Sequence, residues 1–342
     1  CALPICFTRF YTSCPVCAPA RAGLMTGKHN GRSPIRGNKE VGGWELNTGE
    51  GNFPLPPQET TLAERFRSVG FATGMAGKWG LGAPGTESTP NKQGFDYFFG
   101  YLCQRQAHNL YPAYLWQNSD VFLLTGNPYF RVHSRLTPEQ ATPEAFSRFI
   151  GRQYAPALMT EKAVSWIKGV KNQPFFMYFA SPLPHVALQA PKETVDLFPR
   201  EWDSKPYLGE GGYCPSERPR ATYAAMLTEL DRSVGALIKA VEDKGQLENT
   251  LFILTSDNGT TFVKQVDSGF FGSLGSLRGA KSSLYEGGIK VPFIASWPGK
   301  IPAGRQVDQV SYLPDLTPTL GALAGFKAGR TDGIDQIGRA HV

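Results

Sequence analysis

Short runs of apolar residues alternate along this chain with stretches in which apolar residues recur every three or four positions. The second pattern is typical of amphipathic helices and predicts them over residues 61–69, 161–171 and 221–244. The continuous runs predict buried strands, namely FATGMAG (71–77), PFFMYFAS (174–181), TLFILTS (250–256) and VPFIASWP (291–298). Such alternation predicts an α/β fold with a large mixed, mostly parallel β-sheet sandwiched between helices.

Polar residues follow three of these predicted strands directly. Lys78 comes after the first, His185 stands in PLPHV after the second, and Asp257 and Asn258 end the third. Ligands of open α/β sheets bind outside the carboxyl ends of the strands, so these side chains are expected to share one site. Residues 81–154 and 190–219 lack clear periodicity and predict long ordered loops that would wall such a site.

The segment CPVCAPARAGLMTG (14–27) predicts a short helix, since Pro19 suits a first turn and Gly27 suits a C-terminal cap. Cys17 then lies at the helix N-terminus, where backbone N–H groups favour an anion, and Arg21 lies one turn further on. Cys17 is therefore either a thiolate of low pKa or the precursor of an unusual nucleophile. Two alternatives stay open: a small buried side chain, or half of a zinc pair with Cys14, although the sequence holds no second C-x-x-C.

The pattern C-x-P-x-R, followed by LMTGK, resembles the signature of the formylglycine-dependent sulfatases, arylsulfatase-like members of the alkaline-phosphatase-like superfamily. Four further blocks resemble that family in its own order. They are GKWGLG (77–82), PHVALQAP (184–191), TSDNG (255–259) and LRGAKSSLYEGGIKVPFIASWPG (277–299). The resemblance extends from about Phe7 to about Leu323.

The resemblance implies hydrolysis of a sulfate ester to an alcohol and inorganic sulfate. Cys17, oxidised to formylglycine, would attack sulfur as the aldehyde hydrate, and collapse of the sulfated hemiacetal would then release sulfate. Arg21 would hold that side chain, and Lys78 and Lys281 would bind sulfate oxygens. His185 would contact sulfate or protonate the leaving alcohol. Considered singly, the lysines could equally be solvated side chains and His185 a loop histidine fixed by neighbouring prolines.

Asp257 and Asn258 are adjacent oxygen ligands suited to Ca²⁺, with Mg²⁺ as the alternative, whereas a lone DNG would be an ordinary turn.

The chain departs from the family pattern at two places. Family members carry an adjacent pair of aspartates near the N-terminus, yet no acidic residue precedes Cys17 here, so the fragment is expected to bind metal poorly. Many members also have a histidine where this chain has Gly80. We hypothesise that His108, in QAHNLYP, contacts the substrate in its place.

The two ends of the chain suggest a fragment. CALPIC (1–6) and IGRAHV (337–342) look like translated sequencing adapter, because one codon choice for IGRAH, read on the opposite strand and shifted by one base, encodes CALPI. Two unrelated natural termini are the alternative. Residues 7–336 would then be a sulfatase catalytic domain truncated at both ends, lacking the N-terminal metal-ligand strand and part of a C-terminal subdomain.

Composition excludes some partners. The net charge of +6 arises from scattered residues among 342, with no basic run interleaved with aromatics, which argues against nucleic acid. No apolar stretch is long enough to predict a membrane span. Cys103 and Cys214 could form a disulfide, but their spacing does not decide it.

Partners and location follow from the resemblance. It implies a formylglycine-generating maturase as a partner and, because family members are usually exported, a periplasmic or extracellular location. Aromatic residues in NLYPAYLW (109–116) could stack on a sulfated carbohydrate or simply form a loop core. A phosphonate or phosphate ester hydrolase of the same superfamily, and a catalytically dead anion-binding relative, are the alternative functions.

Overall fold

The computed structural model describes residues 4–41, 50–261 and 266–335. The strands in these ranges are β1 Ile5–Phe7, β2 Phe10–Tyr11, β3 Ala72–Lys78, β4 Tyr97–Tyr101, β5 Tyr114–Gln117, β6 Asp120–Leu123, β7 Phe175–Ala180, β8 Phe252–Thr255, β9 Phe293–Ser296, β10 Gln306–Val307 and β11 Ser311–Tyr312. The helices are α1 Cys17–Thr26, α2 Leu62–Ser68, α3 Pro143–Ser147, α4 Ala155–Gly169, α5 Lys192–Val195, α6 Pro219–Asp243, α7 Glu286–Ile289 and α8 Leu316–Ala324. Short 3₁₀ turns connect several of them.

The described strands divide between two main sheets and a two-stranded ribbon. The five-stranded sheet has the order β6-β5-β4-β3-β7, in which β3 pairs in parallel with β4 and β7 while β5 and β6 pair antiparallel. The four-stranded sheet has the order β10-β1-β9-β8, and only β1 and β10 pair in parallel. The predicted α/β class with mixed sheets and helices is confirmed. The described strands differ from the predicted single, mostly parallel sheet in two ways: they divide between separate sheets, and antiparallel pairs, among them the central pair β1–β9, are as common as parallel ones.

The strongly periodic segments form the predicted elements, and α2, α6, β3, β7, β8 and β9 begin and end within two residues of expectation. Helix α4 differs, because it begins at Ala155 rather than at residue 161. Pro156 occupies its first turn, and the buried positions Met159, Ala163 and Ile167 continue one stripe down the helix.

The prediction of a long loop over residues 81–154 was wrong in part, since β4, β5 and β6 lie within it. Strand β4 is apolar but short, which hides it from a periodicity argument. Strands β5 and β6 form a hairpin with a two-residue turn, and Asn118 in that turn has a φ of 53°. Asparagine tolerates this conformation, so the turn was the available signal.

The ends of the chain are only partly described. Residues 1–3 and 336–342 lie outside the described ranges, whereas Ile5 and Cys6 belong to β1 and pair with β9. The adapter hypothesis concerns the origin of the ends and stays a prediction, as does the truncated domain over residues 7–336. Within the described residues, no helix is both long enough and apolar enough to cross a bilayer.

Helix α1 is almost entirely buried, since nine of its ten residues are buried. Ala18, Ala22 and Met25 pack in one cluster with Met75 and Trp79 of the five-stranded-sheet region. The helix ends as predicted at Gly27, whose φ of 71° is left-handed and whose N–H donates to the carbonyl of Gly23. This packing places the first residue of α1 beside the carboxyl end of β3.

A groove of about 2090 Å³ separates the two main sheets. It is lined by β7, which ends one sheet, by β8, which ends the other, and by the apolar face of α6. The sequence predicts β7 to be a fully buried strand, yet five of its six residues are only half-buried, and Leu254 of β8 is 37% exposed. No described strand pairs with the outer edge of either strand, which explains the difference.

Candidate active site

Cys17 lies at the N-terminus of α1 and is 3% exposed. Val16, the N-cap, is extended and offers no side-chain cap. Instead, the N–H of Ala18 donates to Oδ1 of Asn38 at 2.9 Å. Unpaired N–H groups at a helix start favour negative charge, so the position suits an anionic group on residue 17.

Two side chains approach the Cys17 thiol directly. Nζ of Lys281 donates to Sγ at 3.4 Å, and Oδ1 of Asn258 lies 3.6 Å from Sγ. Burial acts to raise the pKa of the thiol, but the charges of Lys78, Lys281 and Arg21 outweigh both burial and the opposing charge of Asp257. The pKa of Cys17 therefore lies below its ordinary value, and its surroundings favour an anion there.

Arg21 connects the helix to two strand ends. Its Nε donates to Oδ2 of Asp257 at 2.9 Å, and Nη1 donates to the carbonyl of Lys78 at 2.5 Å. Nη1 also lies 3.4 Å from the hydroxyl of Tyr178 on β7. Burial acts to raise the pKa of the Asp257 carboxyl, but Arg21 and Lys78 outweigh it and lower that pKa to about 2. Arg21 thus keeps the half-buried carboxyl group of Asp257 ionised.

Lys78 ends β3 and is 2% exposed. Burial lowers the pKa of its ammonium group, and the neighbouring charges of Arg21 and Lys281 act in the same direction. The charges of Cys17 and Asp257 oppose that shift. A buried cation with so few anionic neighbours would gain from a negatively charged ligand.

The imidazoles of His108 and His185 stack with their ring centroids 4.6 Å apart and their planes 6° apart. Burial, followed by the nearby positive charges, holds the pKa of each ring well below the usual histidine value. Nδ1 of His108 is buried and finds no hydrogen-bond partner among the described residues. Both rings are therefore neutral near neutral pH, and one presents an unused polar atom.

Asp257 and Asn258 follow β8, as predicted, and carry the oxygen atoms that a hard cation prefers. Within the described ranges, no group of three or more histidine, cysteine, aspartate or glutamate side chains could hold a metal ion. Two donor residues make only part of a Ca²⁺ shell, which takes about six to eight oxygen ligands. Cys14 packs with Phe10 and Ala20 in the core rather than beside further ligands.

The position of Gly80 bears on the role given to His108. A Cβ on Gly80 would lie 3.6 Å from Oε1 of Gln104, an oxygen that is buried and has no hydrogen-bond partner among the described residues. Gln104 therefore occupies the space beside Gly80, while His108 approaches the site through its stack on His185. The substrate contact of His108 stays a prediction.

The structure brings the predicted residues together around the N-terminus of α1. These side chains come from α1 itself, from the carboxyl ends of β3, β7 and β8, and from two loops. The residues are Cys17, Arg21, Lys78, His108, His185, Asp257, Asn258 and Lys281. Their placement is observed, and their chemical roles stay predictions. Cys103, which spacing left open as half of a disulfide, is a buried thiol.

Sequence reasoning missed several residues of this site. Tyr178 contacts Arg21, and its place near the end of β7 was the available signal. The hydroxyl of Thr12 donates to the carbonyl of Asp257 at 2.7 Å. Tyr213 and His133 complete an aromatic cluster with the two stacked imidazoles. They lie in segments without periodicity, where no sequence pattern marks them.

The chain is similar in sequence to known sulfatases over nearly its whole length. The family model named Sulfatase matches residues 3–326 of the chain. Arylsulfatase A of Bos taurus is 33% identical over 344 residues, which cover 96% of this chain and 59% of that protein. N-acetylgalactosamine-6-sulfatase of Canis lupus familiaris is 31% identical, over 97% of this chain and 58% of that protein. The chain thus spans a little under three fifths of these relatives.

Solved structures share the fold. The crystal structure of Ps i-CgsB superposes with a TM-score of 0.76 at 27% identity, covering 98% of this chain and 67% of that one. The phosphonate monoester hydrolase of Agrobacterium radiobacter superposes with a TM-score of 0.62 at 18% identity, covering 98% of this chain and 69% of that one. At that identity, the second likeness concerns the fold alone.

Proposed function

Because the chain belongs to the sulfatase family, we propose that the complete protein hydrolyses sulfate esters to an alcohol and inorganic sulfate. The observation that carries the proposal is the convergence of Lys78, Lys281 and Arg21 on Cys17 at a helix N-terminus. When present, formylglycine at position 17 supplies a nucleophilic hydroxyl for attack on sulfur. The chain covers less than two thirds of its curated relatives, so the activity is proposed for the whole protein.

The cationic side chains of the site give it its affinity for a sulfate group. Lys78 and Lys281 bind its oxygens as point charges. Arg21 hydrogen-bonds both Asp257 and the carbonyl of Lys78, and so fixes the position of these two groups relative to Cys17. His108 contacts the bound group through the polar atom that is unused in the described structure. A bound anion offsets the positive charges beside His185, which favours the imidazolium that protonates the leaving alcohol.

We propose that Asp257 and Asn258 form part of a Ca²⁺ site, with Mg²⁺ as the alternative. The low pKa of Asp257 keeps its carboxylate charged, as a hard cation requires. Among the described residues no group of three or more histidine, cysteine, aspartate or glutamate side chains lies together. We propose that further oxygen ligands come from residues outside the described ranges.

The groove between β7 and β8 indicates where that sequence would bind. Two apolar edge strands face the same groove and leave their outer backbone groups unpaired by any described strand. We propose that one further apolar strand pairs with both and joins the two main sheets. We further propose that this strand precedes residue 7 and ends near Asp257, where it supplies the missing acidic ligands. This supports the truncated domain predicted over residues 7–336.

The relatives suggest the class of substrate. Their names include N-acetylgalactosamine-6-sulfatase, and one similar structure is Ps i-CgsB in complex with k-i-k-neocarrahexaose. We therefore propose a sulfated carbohydrate as substrate and a periplasmic or extracellular location. A formylglycine-generating maturase must act before folding is complete, because Cys17 is only 3% exposed.

The test uses the complete natural protein that carries this sequence, produced together with a maturase. Mass spectrometry of the tryptic peptide 10–21 should show an aldehyde in place of the thiol at Cys17 and an unchanged Cys14. Cys17→Ala should lose turnover of an aryl sulfate by at least about a thousandfold. The matched control Cys14→Ala removes the other buried cysteine of the same peptide and should retain both modification and turnover.

The same assay separates the alternatives. In it, His108→Ala should lower kcat/KM for the sulfate ester. A clear preference for an aryl phosphonate over the matched aryl sulfate would contradict a sulfatase and indicate a phosphonate ester hydrolase. An unmodified thiol at Cys17 together with no turnover of either ester would indicate a catalytically dead anion-binding relative.

A further inference from the structure

We propose that Tyr213 determines specificity for the leaving alcohol, with its aromatic ring forming a wall against which the flat face of a ring-shaped alcohol packs. The inference rests on the proposed function and adds a residue that the family signature does not contain. The chemistry it identifies is shared by aryl and sugar alcohols, since both present an apolar ring face.

The first support is the position of the ring. The centroid of Tyr213 lies 5.2 Å from His108, 6.2 Å from His185 and 5.3 Å from His133. His108 and His185 are buried in part beside the cationic groups, whereas His133 is exposed. The ring of Tyr213 therefore lies in a continuous aromatic surface that extends from the sulfate-binding groups to solvent.

The second support is the division of charge within the site. Burial, followed by the charge of Cys17, raises the pKa of the Tyr213 phenol, so this ring is neutral and lies within electrostatic range of residue 17. Lys78, Lys281 and Arg21 supply the positive charge around Cys17 itself. A sulfate ester is divided in the same way, with an anionic group at one end and an uncharged alcohol at the other.

The third support is that the loop holding Tyr213 is fixed at several points. Tyr207 and Ser216 exchange two backbone hydrogen bonds of 2.9 Å across the base of the loop. The carbonyl of Gly212 contacts Nδ1 of His133. A Cβ on Gly209 would lie 2.6 Å from the carbonyl oxygen of Ser134, so the loop packs tightly on its neighbour. A wall held in place before binding loses little entropy when a ligand packs on it.

The experiment measures how the matured complete protein binds the alcohol part and the sulfate part of the ligand, each separately. The alcohol part is probed by KM for 4-nitrophenyl sulfate and for galactose 6-sulfate, and the sulfate part by Ki for inorganic sulfate. Tyr213→Ala should raise KM by roughly 3- to 10-fold for at least one ring substrate while Ki stays within about twofold. Tyr213→Phe, which keeps the ring, should restore KM to within about twofold of the wild type.

Tyr97→Ala is the matched control, because Tyr97 is a half-buried tyrosine at the amino end of β4, where it stacks on Trp166. It should lower the melting temperature without changing KM for either substrate. The substrate whose KM rises in Tyr213→Ala identifies the alcohol as aryl, sugar or both. The proposal is overturned if Ki rises in proportion to KM, or if KM is unchanged for both substrates. Absence of turnover of both substrates by the matured wild type would instead contradict the proposed function, so the two failures are read from different proteins.

Discussion

At the scale of single residues, the site is defined by an excess of positive charge on two buried side chains, Arg21 and Lys78, and on the half-buried Lys281. Arg21, Lys78 and Lys281 surround one carboxylate, that of Asp257, and one thiol of lowered pKa. The same excess, added to burial, lowers the pKa of His108 and His185. The positive groups therefore repel one another, and an anionic ligand bound between them would reduce this repulsion. That reduction is the physical basis of the proposed sulfate affinity.

The lowered histidine pKa values predict a pH dependence of stability. Below about pH 6.5 the unfolded chain binds protons on residues 108 and 185 that the folded protein does not bind. The stability contributed by the neutral rings is thus fully present above that pH and is lost as the pH falls toward the folded pKa values. Urea unfolding should show a free energy that decreases by up to about 1.4 kcal/mol per pH unit for each ring between about pH 6.5 and about pH 5.

The double variant His108→Gln/His185→Gln removes both titrating rings and should flatten this slope. His29→Gln is the control for loss of a histidine, because His29 lies outside the site and is paired with Asp332. An unchanged slope in the double variant would show that other groups cause the pH dependence.

Sequence reasoning found most residues of the site because they directly follow strands or the start of a helix. Lys78, Asp257 and Asn258 are placed by strands whose apolar runs are unmistakable. Tyr213 and His133 could not be found in this way, because their places are set by contacts between two irregular loops. Long-range loop packing leaves no local pattern in a sequence.

At the scale of elements, helix α1 determines where the nucleophile lies. It is buried on nearly all sides and is fixed at its C-terminal end by Gly27. A Cβ on Gly27 would lie 2.7 Å from Cγ2 of Thr331 and 2.9 Å from Oγ1 of Thr317. The cap therefore needs glycine for two reasons, the left-handed backbone and the lack of space.

Two glycine substitutions separate these reasons. Gly70 is also left-handed, with a φ of +87°, but nothing lies within 4 Å of a Cβ built there. Gly70→Ala should therefore cost about 1–2 kcal/mol of unfolding free energy, from the backbone alone. Gly27→Ala should cost at least about 1 kcal/mol more, because threonine side chains must also move. Equal costs in urea unfolding would show that the site around Gly27 relaxes freely.

Elements were predictable from the sequence where burial makes their pattern strong. The apolar run of β3 is an example, since all seven of its residues are buried. The stripe of α6 has an equally clear period, although much of it faces the groove, where Leu227 is 40% exposed. The β5–β6 hairpin was missed because three of the four residues of β6 are exposed and follow no clear alternation. For β7, the sequence predicts deeper burial than the structure shows, because no described strand covers the outer edge of β7.

At the scale of the whole molecule, β7, β8 and α6 all line the groove between the two main sheets. Apolar residues of all three face a space that no described element fills. An edge strand with this composition exposes both apolar side chains and unpaired backbone groups, a combination that proteins ordinarily avoid. The composition of β7 and β8 therefore fits a position inside one continuous sheet.

The corresponding prediction compares the present chain with the same chain extended by its natural upstream sequence. If a strand fills the groove, amide exchange in Phe175–Ala180 and Phe252–Thr255 should slow by at least about tenfold, because their outer N–H groups gain partners. Strand β6, at the opposite edge of the five-stranded sheet, is the internal control and should exchange as before.

A uniform slowing that includes β6 would reflect a change in global stability rather than strand addition. Unchanged exchange in β7 and β8 would contradict the proposed strand. A proline in the middle of the added strand should abolish the local slowing, since it removes a backbone donor and cannot continue a central strand.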